Sequence, residues 1–165
     1  MAVQARDTPG RRLRENTMAS PLPSREICED IEREHRALHK KLRAIHDVLA
    51  SDINARDEFV ALLYELRKAL EVHFANEEFH GFFGEVISHA PHLKRDADSL
   101  CVEHRDMLHT ATELARFAAA GSVSKPWWRE LRTRFDAFSD QLMRHESDEN
   151  ELLQRTYMDD LGAND

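Results

Sequence analysis

Residues 128–152 read WRELRTRFDAFSDQLMRHESDENEL, and this stretch decides the fold. Apolar side chains recur at Trp128, Leu131, Phe135, Phe138 and Leu142, in steps of three and four. That is the period of a helix packed along one face. The next steps of the same stripe land on His145 and Glu149 before it returns to Leu152. A packed helix therefore carries an imidazole and a carboxylate where leucine is expected.

Three other segments repeat the pattern. The first starts at Ser24, an N-cap by residue type, and runs to about Ser51. Its stripe is Cys28, Ile31, His35, Leu38, Leu42, Ile45 and Leu49. The second runs from about Asp57 to about His80 with Phe59, Leu63, Leu66, Leu70, His73, Glu77 and His80 in phase. The third shows Leu93, Ala97, Leu100, His104, Met107, Ala111, Leu114 and Ala118, and stops at Gly121, read as the residue just past the helix end. The fourth opens after Ser124 with Pro126 in its first turn. A looser stretch with Gly81, Gly84 and Pro91 joins the second and third. Short connections make antiparallel neighbours. The expectation is an all-α, up-down-up-down four-helix bundle over residues 24–160. Residues 1–23 are polar, hold Pro9, Gly10, Pro21 and Pro23, and read as a disordered tail.

Bulk properties agree. The 165 residues suit one domain with its own core. A net charge of −8 argues against a nucleic-acid partner, which would need a basic face. No apolar run reaches the length of a membrane span. Arg11-Arg12 is followed by no hydrophobic stretch, so no export signal is read, and the cytoplasm is the expected location. Cys28 and Cys101 make no disulfide framework and are expected as buried thiols.

The chemistry lies in the interruptions of the stripes. Each half of the chain holds a lone His and, about 40 residues later, His-x-x-x-Glu: His35 with His73 and Glu77, then His104 with His145 and Glu149. Residues four apart share a helix face. His35 and His73 each lie 16 residues, roughly 24 Å, from the turn between their helices. His104 and His145 match within about one turn. All six should meet at one level inside the bundle. Two further His-x-x-x-acid matches, His92/Asp96 and His109/Glu113, fail on phase or level, since His109 is rotated about 140° from His104. A single histidine on an apolar face is usually a locally hydrogen-bonded core residue. Four with two buried carboxylates are different, because an unpaired buried carboxylate is very unfavourable. Imidazole with carboxylate suits iron, zinc, nickel or manganese, and a duplicated set suggests more than one ion.

The order His, His-x-x-x-Glu, His, His-x-x-x-Glu, with the tripeptides Glu34-His35-Arg36 and Glu103-His104-Arg105, resembles the hemerythrin-like, or HHE cation-binding, family over residues 24–158. The resemblance implies two iron ions with an oxo or hydroxo bridge. It also implies that Glu77 and Glu149 bridge them and that two histidines hold each. Oxygen-carrying hemerythrins have a further histidine where Leu108 stands, and an aspartate where Asn150 stands. The pattern is closer to bacterial members linked to repair of iron centres and stress responses. Six protein ligands would leave an additional open position for O₂, NO or H₂O₂.

Several neighbours have smaller expected roles. His39, one turn after His35, could be a seventh ligand, though a flanking role is the simpler reading. His80 is expected at an access path or the bundle end. Glu34, Glu103 and Glu146 adjoin ligands and read first as solvated charge, second as partners for imidazole N–H groups. Trp127 is considered as a partner patch. The functional expectation is a protein that binds iron and a small ligand for sensing, storage or stress response. Its rivals are an enzyme that decomposes peroxide or NO or donates iron to damaged centres, and a purely structural bundle.

Overall fold

The computed structural model describes residues 25–51, 54–79, 81–121 and 123–162, and every regular element among them is helical. The tail over 1–23, the N-cap at Ser24 and His80 lie outside the described residues. Four long helices, α1 (Arg25–Ser51), α2 (Arg56–Phe79), α4 (Lys94–Ala120) and α5 (Lys125–Gly162), are joined by a short helix, α3 (Phe82–His89), and a 3₁₀ turn over Pro91–Leu93. In the bundle they form, α1 packs on α2, α2 on α4, α4 on α5 and α5 back on α1. No described helix is long and apolar enough to cross a membrane.

The helices follow from their stripes. Asp57 and Glu58 in the first turn of α2 complement the positive end of its dipole. The Leu49 carbonyl near the end of α1 accepts the Trp128 indole N–H at 3.2 Å and an Arg132 guanidinium N–H, so α5 satisfies one of the acceptors that a helix end leaves open. Gly121 ends α4 with φ −76° and ψ 144°, an extended conformation that any residue adopts. The glycine is needed for another reason: a Cβ there would meet the Trp127 indole nitrogen at 1.8 Å. Trp127, half-buried, also stacks on Phe117 and is tied into the bundle.

The halves repeat many of their buried positions. The buried His35, Leu38, Leu42, Ile45 and Leu49 of α1 correspond, 69 positions on, to the buried His104, Met107, Ala111, Leu114 and Ala118 of α4. From α2 to α5 the offset is 72, and Phe59, Leu63, Leu66, Leu70, His73 and Glu77 correspond to Leu131, Phe135, Phe138, Leu142, His145 and Glu149, all buried.

The six polar positions divide the core. One apolar cluster gathers Leu38 to Leu49, Phe59 to Leu70, Met107 to Ala118 and Trp128 to Leu142. The other is built from Phe82, Phe83, Val86, Ala90, Leu93, Ala97, Leu100 and Leu152. The looser stretch is thus largely the helix α3, whose Phe82, Phe83 and Val86 roof the second cluster. Gly81 opens it with φ +128°, a conformation that side chains disfavour.

Candidate metal centre

α1, α2, α4 and α5 each turn their interrupting residues to the same point. His73, His104, His145, Glu77 and Glu149 are at most 1% exposed and His35 is 8% exposed. Two groups of possible ligands result, His35, His73, Glu77 and Glu149, and Glu77, His104, His145 and Glu149, with the donor atoms of each group within 4.8 Å of one another. Both carboxylates belong to both groups. Glu77 Oε1 lies 3.3 Å from His73 Nε2 and 3.8 Å from His35 Nε2, while its Oε2 lies 3.3 Å from His104 Nε2. Glu149 Oε2 lies 3.4 Å from His35 Nε2, while its Oε1 lies 2.8 Å from His145 Nε2 and 3.6 Å from His104 Nε2.

These approaches are close but not aligned as hydrogen bonds. Both oxygens of Glu77, both of Glu149, and the Nε2 atoms of His35 and His73 are buried with no hydrogen-bond partner. The remaining two ring nitrogens, His104 Nε2 and His145 Nε2, meet each other at 2.9 Å. Six orphaned polar atoms at one point in an apolar core would be strongly destabilising on their own. A cation between the carboxylates and imidazoles satisfies all of them at once, so the donor set fits metal. The buried His and Glu groups can hold a metal ion.

The far sides of the rings are braced. His73 Nδ1–H donates to Glu34 at 2.9 Å, and Asn76 holds the other oxygen of Glu34 at 2.6 Å. His104 Nδ1–H donates to Glu78 at 2.8 Å, and His145 Nδ1–H to Glu103 at 2.9 Å. Such contacts fix which nitrogen faces inward and make it a better ligand. Glu34 and Glu103 do not serve the adjacent histidines of their own helices. Each reaches across to the next helix, and the second role considered for them, rather than solvated charge, is the one they fill. Glu146 is 4% exposed and meets His39 Nε2 at 2.5 Å, so His39 points at this carboxylate and stands outside both ligand groups. His92 and His109 are exposed, and neither belongs to a ligand group.

Glu78 and Phe74 were not singled out from sequence. Phe74 lies flat on His104, with ring centroids 4.0 Å apart and planes at 6°. The repeated dipeptide Glu34-His35 and Glu103-His104 was the available signal for the bracing carboxylates. Glu78, next to Glu77, carried no comparable signal. Cys28 and Cys101 are half-buried and form no disulfide. Burial pushes both thiols up, Cys101 to about 11, so neither is a ready thiolate at neutral pH.

Comparison of the chain with protein-family models, with curated proteins and with solved structures finds no match.

The carboxylates set the charge of the imidazoles. Burial opposes the proton on His35, but Glu149 and Glu77 outweigh it and raise its pKa from 6.5 to about 10. The same balance lifts His104 to about 9, and burial is likewise outweighed by Glu149 at His145, whose pKa is raised. Burial works against the Glu149 charge, yet His104, His145 and His35 hold its pKa well below 4.5. In metal-free protein, protons therefore stand in for a cation. Raised histidines contribute stability that is full below 6.5 and is lost as pH rises through about 9 to 10. The lowered Glu149 contributes stability that is present above 4.5 and is lost as pH falls through its folded value. The metal-free melting temperature should be highest between pH 4.5 and 6.5 and fall toward pH 9. Melts followed by circular dichroism check this, and a midpoint that climbs steadily from pH 6.5 to 9 would contradict it.

Proposed function

We propose that this chain is a hemerythrin-like di-iron protein that binds a small diatomic or peroxide ligand, O₂, NO or H₂O₂, for sensing, storage or stress response. The carrying observation is the placing of the two oxygens of Glu77, and of Glu149, toward different histidine pairs. A carboxylate so placed suits two ions side by side better than one. The same reading takes the long helices to run up-down-up-down, supported by their cyclic packing order and by the common level of the six side chains. It also places the protein in the cytoplasm, as its sequence suggests.

Bound iron would supply redox chemistry and a coordination position for the ligand. The protein's part is placement and exclusion. Glu34, Glu78 and Glu103 orient three imidazoles, while Phe74 and Phe83 cover the His104 ring. A cavity of about 30 Å³ reaches His35 and Glu149 between Cys28, Ile31, Phe82 and Leu153. That is room for a small molecule. Because this cavity opens at the most exposed of the four histidines, turnover of H₂O₂ or NO, or release of iron to damaged centres, is the second reading.

The test is anaerobic reconstitution with Fe²⁺, removal of loose metal and elemental analysis. About two irons per chain are expected, with a near-ultraviolet band of an oxo-bridged pair after oxidation. Metal content near zero would overturn the reading.

A further inference from the structure

The halves share many buried positions, yet the side chains around His104 and around His35 differ. Glu78 and Phe74, which secure His104, have counterparts in the other half that do not secure His35. Glu78, which holds His104 Nδ1, corresponds at the 72-residue offset to the exposed Asn150, which lines the cavity instead. Phe74, stacked on His104, corresponds to Glu146, which turns to His39. His39 itself corresponds, at the 69-residue offset, to the apolar Leu108. Among the described residues no side chain is hydrogen-bonded to His35 Nδ1, whereas the other three ligand-type histidines are each held by a carboxylate.

From this we propose that the two ion positions are unequal: the ion between His104 and His145 is held tightly and exchanges slowly, and the ion between His35 and His73 is the labile one. The inference rests on the two-ion reading and adds the order of loading and release. Carboxylate partners behind metal-bound imidazoles are worth about 10–100-fold in affinity. Both imidazoles of the first position have one, and only His73 of the second does. Ion release also requires water to replace ligands. Phe74 and Phe83 keep water from His104, while the cavity brings it to the edge of His35. Both effects act in the same direction.

The experiment loads the intact chain anaerobically with Fe²⁺ and mixes it with excess ferrozine, following the coloured complex with time. Two phases of about one ion each are expected, with rates at least about tenfold apart. His35→Gln should remove the fast phase and leave the slow one. Asn150→Glu, a change at an exposed position, should slow the fast phase by supplying the missing carboxylate. Glu78→Asn should quicken the slow phase. A single phase releasing both ions, or a fast phase that survives His35→Gln, would overturn the inequality while leaving the di-iron reading standing. Failure of the parent to retain any iron would overturn both.

Discussion

Glu77→Ala and Glu149→Ala should each strip the protein of most of its metal, from about two ions per chain to fewer than one, whereas His109→Ala should retain the full amount. Each of the two carboxylates faces both histidine pairs, so its loss removes an oxygen ligand from both positions together. The ring of His109 lies on the outside of α4 and faces neither group. Truncation at a buried site also leaves a cavity, and the isosteric Glu77→Gln separates that effect from the loss of charge. Elemental analysis of the four variants against the parent decides the matter. Equal losses in all of them, or loss of one ion only in both Glu77→Ala and Glu149→Ala, would contradict shared carboxylates.

Removal of metal should lower the melting temperature by roughly 10–20 °C near neutral pH. At a free concentration 100-fold above its dissociation constant, one ion bound only by the folded state adds about 2.7 kcal/mol. Two such ions add about 5 kcal/mol, and in a domain of this size each kcal/mol moves the midpoint by about 2–4 °C. The direction is fixed by the buried atoms. Without a cation, four carboxylate oxygens and two ring nitrogens lack hydrogen-bond partners, and only protonation of the histidines offsets this. Scanning calorimetry with and without chelator measures the shift. Coincident transitions would indicate a bundle whose polar centre stabilises itself.

Much of this centre could be read from periodicity. The stripes fixed which face of each helix turns inward, and phase with level separated His35, His73, His104 and His145 from the exposed His92 and His109. Less was legible where interactions cross between helices. That Glu34 serves His73 and not its neighbour His35 depends on how two helices are rotated against each other, which spacing within one helix does not encode. The partnership of His39 with Glu146, 107 residues away, is hidden for the same reason. Helix α3 was obscured by Gly81 and Gly84, which read as loop, although Phe82, Phe83 and Val86 carried an apolar face. The glycine at position 121 reflects a tryptophan packed where a Cβ would stand, a constraint set by packing between residues and not by helix termination.

The division of the core has a consequence for motion. The cluster from Leu38 to Leu142 is built from four long helices, whereas the roof formed by α3, the 3₁₀ turn and the nearby parts of α1, α4 and α5 is smaller. Between them every long helix is crossed by polar residues, so little apolar contact couples the two. With ions in place, the ligands are a rivet through all four helices, and both parts open only together. With the rivet drawn, the roof becomes a separate cooperative unit that can lift while the larger cluster stays closed. The segment that carries Phe83 against His104 is then the one that breathes, and the loading of an empty centre is set by how often that roof opens.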